Sequence, residues 1–130
     1  MPANALDKLT IVVVEDHPDA RALIGSFLRE EGANVIAASD GIEGFEAVKT
    51  HHPDLVLSDL VMPRRDGFEL LNDIRSLEND DRKTVPVIAM TALVRNPERR
   101  STGSRDFQTH LSKPFSPRQL LDAILSVIER

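Results

Sequence analysis

Glu15-Asp16, Asp59, Thr91 and Lys113 each stand directly behind a short run of aliphatic or β-branched residues. Three carboxylates, a hydroxyl and an ammonium on one edge are the parts needed to move a phosphoryl group. Carboxylates crowded together repel one another unless a cation sits among them. A ligand set made of oxygens, with no Cys or His in it, selects Mg²⁺ (or Mn²⁺) rather than zinc. A carboxylate beside such an ion can attack phosphorus and form an aspartyl phosphate. The charge on the equatorial oxygens of the transferring group must then be neutralised. The metal, the Lys113 ammonium and the Thr91 hydroxyl could each take one of those oxygens. Taken singly, these residues have structural explanations: a Glu-Asp pair caps helices, a Thr satisfies backbone, a Lys solvates a surface. Their joint placement argues for chemistry.

The elements that must position them follow from hydrophobic spacing. Short apolar or β-branched runs occur at Leu9–Val14, Asn34–Ala38, Leu55–Ser58, Val85–Met90 and Thr109–Ser112. The first, third and fourth are almost continuously apolar, as strands buried on both faces of a parallel sheet are. Between the runs, apolar residues step by three and four. Ala20, Leu23, Ile24, Phe27 and Leu28 form one stripe, closed by Gly32. Ile42, Phe45 and Val48 form a second behind Asp40 and Glu43, which have capping-box spacing. Phe68, Leu71, Ile74 and Leu77 form a third. Leu120, Leu121, Ile124, Leu125 and Ile128 form the last, with Ser116 as N-cap, Pro117 at the first helical position and Gln119 completing a box.

Strand and helix thus alternate, which predicts an α/β fold: a doubly wound five-stranded parallel sheet with helices on both faces. The segment after the fourth strand departs from the pattern. Asn96-Pro97 makes a plausible helix start, but Glu98–Asp106 has no large apolar residue, so a short, frayed helix is expected there. In such sheets ligands bind beyond the carboxyl ends of the strands, where the five polar residues lie.

Composition narrows the function further. A chain of 130 residues has the length of one ordinary domain, and no repeat, linker or low-complexity tract divides it. The net charge of −5, with 5 Phe and no Trp or Tyr, argues against direct nucleic-acid binding, which rewards basic excess and stacking surfaces. Without Cys there is no disulfide, thiolate metal site or Cys nucleophile. The apolar runs are far too short for a membrane span, and Met1–Lys8 has no signal-like core, so a cytoplasmic protein is expected. No glycine-rich phosphate loop is present to hold ATP, so a phosphoryl group would come from a partner.

Four motifs, VVVEDHPD at 12–19, DLVLSDLVMPRRDGFELL at 54–71, Thr91-Ala92 and HLSKPF at 110–115, resemble the receiver domains of two-component response regulators and occur in family order. The resemblance runs from about Leu9 to Ile128, which implies a single receiver domain over 1–130 with its core at about 9–128. It implies a flavodoxin-like sheet of strand order 2-1-3-4-5. It makes Asp59 the phosphoacceptor, Asp16 a direct metal ligand, Glu15 a ligand through water, and the Val61 carbonyl the third protein ligand. Thr91 resembles the hydroxyl that swings toward the phosphoryl group, and Lys113 the lysine that pairs with it. Lys113-Pro114 falls where receivers often have a cis peptide. His110 occupies the place of the switch Tyr or Phe and is expected to rotate between exposed and buried settings. Val61 and Leu93 are apolar where polar residues would orient an attacking water, so slow self-dephosphorylation is expected.

The implied role is a phosphorylation-activated switch, not an enzyme. A sensor histidine kinase or histidine phosphotransfer protein is the donor, and a downstream protein reads the face made by strand 4, the helix after it and strand 5. His51-His52-Pro53 is expected to close the second helix and Arg64–Gly67 to fill a loop. Arg95, Arg99, Arg100 and Arg105 read as a solvated basic patch. Three other readings compete. A haloacid-dehalogenase-type phosphatase needs an acid two residues after its nucleophile, where Val61 stands. A flavin or dinucleotide domain needs a phosphate cradle after strand 1, where Glu15–Asp19 would repel one. The third is a degenerate receiver acting as a phosphorylation-independent interaction module, which the intact acidic, hydroxyl and lysine positions disfavour.

Overall fold

The structure is a computed structural model of the chain and describes residues 4–77, 84–91 and 107–128. Its sheet has five strands, β1 (Thr10–Val14), β2 (Asn34–Ala38), β3 (Leu55–Asp59), β4 (Val87–Thr91) and β5 (Thr109–Ser112). All pairings are parallel and the order is β2-β1-β3-β4-β5, the order expected. Four helices accompany them among the described residues: α1 (Pro18–Glu30), α2 (Gly41–His51), α3 (Gly67–Arg75) and the last, α4 (Pro117–Ile128). None is long and apolar enough to cross a membrane.

Alternation along the buried strands divides the core in two. Val12, Val14, Val56, Val87 and Ala89 pack with Val48, Leu70 and Ile74 of α2 and α3. Ile11, Val13, Leu55, Leu57, Ile88 and Met90 pack on the other face with Ile24 and Leu28 of α1 and Leu120 and Ile124 of α4. The core also includes Leu6, which is fully buried and whose N–H donates to the Glu31 carbonyl (2.9 Å), so the packed unit begins before Leu9.

Local differences from the sequence reading have identifiable causes. The fourth strand starts at Val87 rather than Val85 because Pro86 has no N–H for the ladder, although its carbonyl accepts from Val56 N–H (2.9 Å). Leu23 is 74% exposed, because α1 turns Ile24, Gly25 and Leu28 inward instead. Ile42 is exposed too, and α2 buries Gly41, Gly44, Ala47 and Val48. Gly44 is needed there: a Cβ would lie 2.8 Å from Val14 Cγ2. The α2 box is half formed. Asp40 accepts from Glu43 N–H, but Glu43 reaches back to Ser39 N–H and hydroxyl (2.8 Å each). The reciprocal box at Ser116/Gln119 forms as expected. Another, at Asp66/Glu69, starts α3 and was not anticipated. The helix expected over 96–106, with its arginines, and Leu93 lie outside the described residues.

Candidate functional site

Sheet register assembles the site before any side chain is considered. Val14 pairs with Ser58, so the next residues, Glu15 and Asp59, are level. Asp59 pairs with Met90, which puts Thr91 one step beyond, and Thr91 pairs with Ser112, which puts Lys113 one step further. The polar residues therefore cross one rim of the sheet as a staircase.

Side-chain contacts complete it. Lys113 Nζ donates to Glu15 Oε1 (2.7 Å) and to Asp59 Oδ2 (3.2 Å), bridging the two carboxylates. The second oxygen of each is also engaged. Glu15 Oε2 accepts from His17 N–H (3.1 Å), and Asp59 Oδ1 from Leu60 N–H (2.8 Å). Arg21 Nη1 donates to the Glu15 carbonyl (2.8 Å), tying α1 to the end of β1. Glu15 and Asp59 are buried, whereas Asp16 is exposed. Ligand oxygens of Glu15, Asp16 and Asp59 all lie within 4.8 Å of one another. Burial alone would lower the Lys113 pKa, but its hydrogen bond to Glu15 and the charge of Asp59 outweigh that and hold it above the ordinary lysine value.

Three carboxylates against one ammonium leave the cluster with a net charge of about −2. An all-oxygen donor set of this charge suits a hard divalent cation of the Mg²⁺ type, which keeps waters as further ligands. The donor chemistry therefore fits the ion expected from the sequence. Glu15 is more committed to Lys113 than the water-mediated role expected of it implied.

Thr91 is buried at the end of β4, and its carbonyl accepts from Lys113 N–H (3.0 Å). Lys113-Pro114 is cis. Val61, two residues after Asp59, is 62% exposed. His110 is half-buried, and its ring lies 5.5 Å from that of Phe107, which in turn meets Phe68 of α3 edge-on at 5.7 Å. The face expected to carry output is described for β4 and β5 only.

Two features escaped the sequence reading. Gly67 has no room for a side chain: a Cβ would lie 2.4 Å from the Asp59 carbonyl and 2.9 Å from Leu60 Cα. Its N–H donates to the Leu60 carbonyl (3.0 Å), closing the loop behind Asp59. The second is a set of arginine pairs in the loop after Asp59. Arg64 binds Asp40, and Arg65 binds Asp73 through Nε (3.0 Å) and Nη2 (2.8 Å). Alternating charge in the loop was the available signal, but pairing across 24 and 8 residues is invisible to local spacing.

Comparison with known proteins agrees with this arrangement. The model of the response regulator receiver domain matches residues 11–125. The chain belongs to that family. It is 37% identical over 118 residues to a 14.6 kDa protein of Leptolyngbya boryana, covering 91% of this receiver and 88% of that protein. To the transcriptional regulatory protein PdtaR of Mycobacterium tuberculosis it is 32% identical over 129 residues, spanning 98% of the receiver but 60% of PdtaR. To the sensor histidine kinase GacS of Pseudomonas protegens it is 34% identical, spanning 88% of this chain and 13% of the kinase. The receiver thus spans only part of several relatives. Among solved structures, the receiver domain of sensor histidine kinase PA1611 from Pseudomonas aeruginosa superimposes with a TM-score of 0.84 at 30% identity, covering 94% and 98% of the two chains. That structure has magnesium coordinated in its active-site cleft. Vibrio cholerae CheY4 gives a TM-score of 0.85 at 27% identity, covering 92% and 98%.

Proposed function

We propose that this receiver accepts a phosphoryl group on Asp59 from the phosphohistidine of a sensor histidine kinase or histidine phosphotransfer protein, and so works as a switch rather than a turnover enzyme. The observation that carries this reading is the bridge from Lys113 to both Glu15 and Asp59, with the Asp16 carboxylate within 4.8 Å of both acids. In the transfer, an Asp59 oxygen forms a bond to phosphorus as the P–N bond to the donor histidine breaks. The electron pair of that bond returns to the imidazole. Lys113, already held beside Asp59, moves with little displacement onto a phosphoryl oxygen. Thr91 offers its hydroxyl to another. Asp16, Asp59 and the Val61 carbonyl would hold the divalent cation directly, and Glu15 would hold it through water. When bound, Mg²⁺ offsets the negative charge of the carboxylates and the incoming phosphoryl oxygens.

An aspartyl phosphate carries roughly −1.5 to −2 charge where the carboxylate carried −1, and spreads it over three strong acceptor oxygens. Lys113 and Thr91 respond to it, and they sit at the ends of β5 and β4, so the two strands and the connection between them are biased toward a second state. His110, in mid-β5, reports that shift.

A partner has a place to sit. An apolar groove of about 420 Å³ is lined by Ala20, Leu23, Ile24, Lys113, Pro114 and Phe115. Lys113 belongs to both groove and site, so a helix of a cytoplasmic phosphodonor seated against Leu23 presents its phosphohistidine to Asp59.

Incubation with acetyl phosphate and Mg²⁺, followed by intact-mass measurement, tests the reading. One added phosphoryl group is expected on the wild type and none on Asp59→Asn. A folded wild type that stays unmodified by acetyl phosphate and by phosphorylated donor proteins would establish the degenerate, phosphorylation-independent module instead.

A further inference from the structure

Between Asp59 and α3 the chain makes a loop over 60–66, and three contacts fix its path. The Met62 side chain is buried in the core. The Arg65 carbonyl accepts from Gly41 N–H (2.9 Å) at the start of α2, where a Cβ on Gly41 would lie 2.5 Å from that oxygen. Beside it, the Arg64 guanidinium closes on one oxygen of Asp40 through Nε (2.6 Å) and Nη2. The other Asp40 oxygen caps α2 by accepting Glu43 N–H (2.9 Å).

Two observations separate this pair from an ordinary surface ion pair. Asp40 is buried, with 4% of its side chain exposed, although Arg64 reaches it from solvent. Arg64 also adopts φ 65°, the left-handed region that non-glycine residues rarely occupy. A long cationic side chain is held in an unfavourable backbone state, and its partner is a carboxylate that Arg64 and the α2 amide together compensate. Burial works against ionised Asp40, but the Glu43 N–H and Arg64 outweigh it and hold its pKa below the ordinary value.

Building on the phosphoacceptor reading above, we propose that Arg64 and Asp40 are positioning residues: their latch fixes the loop that carries the Val61 carbonyl and thereby sets the affinity of the site for Mg²⁺. Neither residue belongs to the acidic cluster. Val61 lies between buried Leu60 and buried Met62, and the latched Arg64 anchors the far side of that turn, so releasing the latch loosens the segment that carries the ligand without altering the acidic cluster.

Two variants separate the latch from the fold. Asp40→Asn keeps an oxygen for the Glu43 N–H, and Asn is as good a helix cap as Asp, while the charge is removed. Arg64→Gly removes the guanidinium and suits the left-handed backbone. Calorimetric Mg²⁺ titration of the full chain is the direct readout, since there is no Trp to report binding. The expected result is an affinity about tenfold weaker in either variant, the lower end of what losing residues that orient metal ligands costs. The double variant should be no weaker than the singles, and acetyl phosphate labelling should return to the wild-type rate at saturating Mg²⁺. Variants that are folded and bind Mg²⁺ within twofold of wild type overturn the latch and leave the phosphoacceptor reading standing. A labelling defect that saturating Mg²⁺ does not restore also overturns it. A wild type that neither binds Mg²⁺ nor becomes labelled removes both.

Discussion

Asp16→Asn should stabilise the protein in the absence of divalent cations and deprive it of stabilisation in their presence. Asp16 is exposed, and its carboxylate has ligand oxygens within 4.8 Å of those of Glu15 and Asp59. Even at the dielectric constant of water, unit charges at that separation repel by about 0.9 kcal/mol per pair, and salt reduces this. Lys113, which contacts both neighbours, offsets part of the repulsion. A net gain of about 1 kcal/mol remains at low ionic strength, which raises the melting temperature of a domain this size by about 3–5 °C. Mg²⁺ at a hundred times its dissociation constant should stabilise the wild type by about 2.7 kcal/mol, or about 8–13 °C, and the variant by much less. The two proteins therefore exchange rank between EDTA and Mg²⁺. Thermal unfolding followed by circular dichroism in both buffers reads this directly. A variant that melts below wild type in EDTA, or that gains as much from Mg²⁺ as wild type does, refutes the electrostatic reasoning.

The remaining predictions probe the neighbouring groups. Lys113 has a raised pKa when folded, so its ion pairs contribute stability that is complete below its unfolded value and lost as pH rises through the higher folded one. The melting difference between wild type and Lys113→Met should hold steady from pH 7 to about 10 and shrink above that; a difference that grows with alkalinity would contradict it. Gly67→Ala drives a methyl into the Asp59 and Leu60 backbone, which cannot yield as a side-chain tip would. It should cost about 1–3 kcal/mol in urea unfolding and slow acetyl phosphate labelling, and unchanged labelling would show that the loop accommodates the methyl elsewhere. Leu23→Arg alters an exposed groove residue, so it should impair labelling by a phosphorylated donor protein at least tenfold and leave acetyl phosphate labelling unchanged. Equal loss with both donors would place Leu23 in the fold rather than in docking. Val61→Asn puts an amide at an exposed apolar position two residues after Asp59, and should shorten the half-life of the phosphorylated state as followed by intact mass.

How much of this was legible in the sequence depends on whether a feature is periodic. The strands of the buried sheet announce themselves because every residue of β3 and β4 is buried, which leaves short runs rich in β-branched and aliphatic residues. Once those runs are strands, the polar residues behind them fall on one edge, and the register that levels Glu15 with Asp59 needs no further information. Helix faces were less legible, because an apolar stripe does not say where its inward centre lies. Leu23 fits the α1 stripe by spacing yet projects into the groove, while Gly44, which has no side chain to count, is what lets α2 approach Val14.

Long-range polar pairing was least legible, and its physical reason bears on how the site works. Glu15 reads as a metal ligand from its place in the acidic pair, yet 98 residues separate it from the lysine that takes its Oε1. A glutamate reaches one methylene further than an aspartate. That reach lets it hold the ammonium at 2.7 Å while Asp59 holds it at 3.2 Å, so Lys113 is shared unequally in favour of the acid that is not the proposed nucleophile. An ammonium anchored mainly on Glu15 stays beside Asp59 without neutralising it fully, leaving the nucleophile's charge available to phosphorus. Glu15→Asp tests this division of labour. Shortening the anchor should transfer Lys113 toward Asp59 and slow labelling by acetyl phosphate. Labelling as fast as wild type would show that the anchor's length is immaterial.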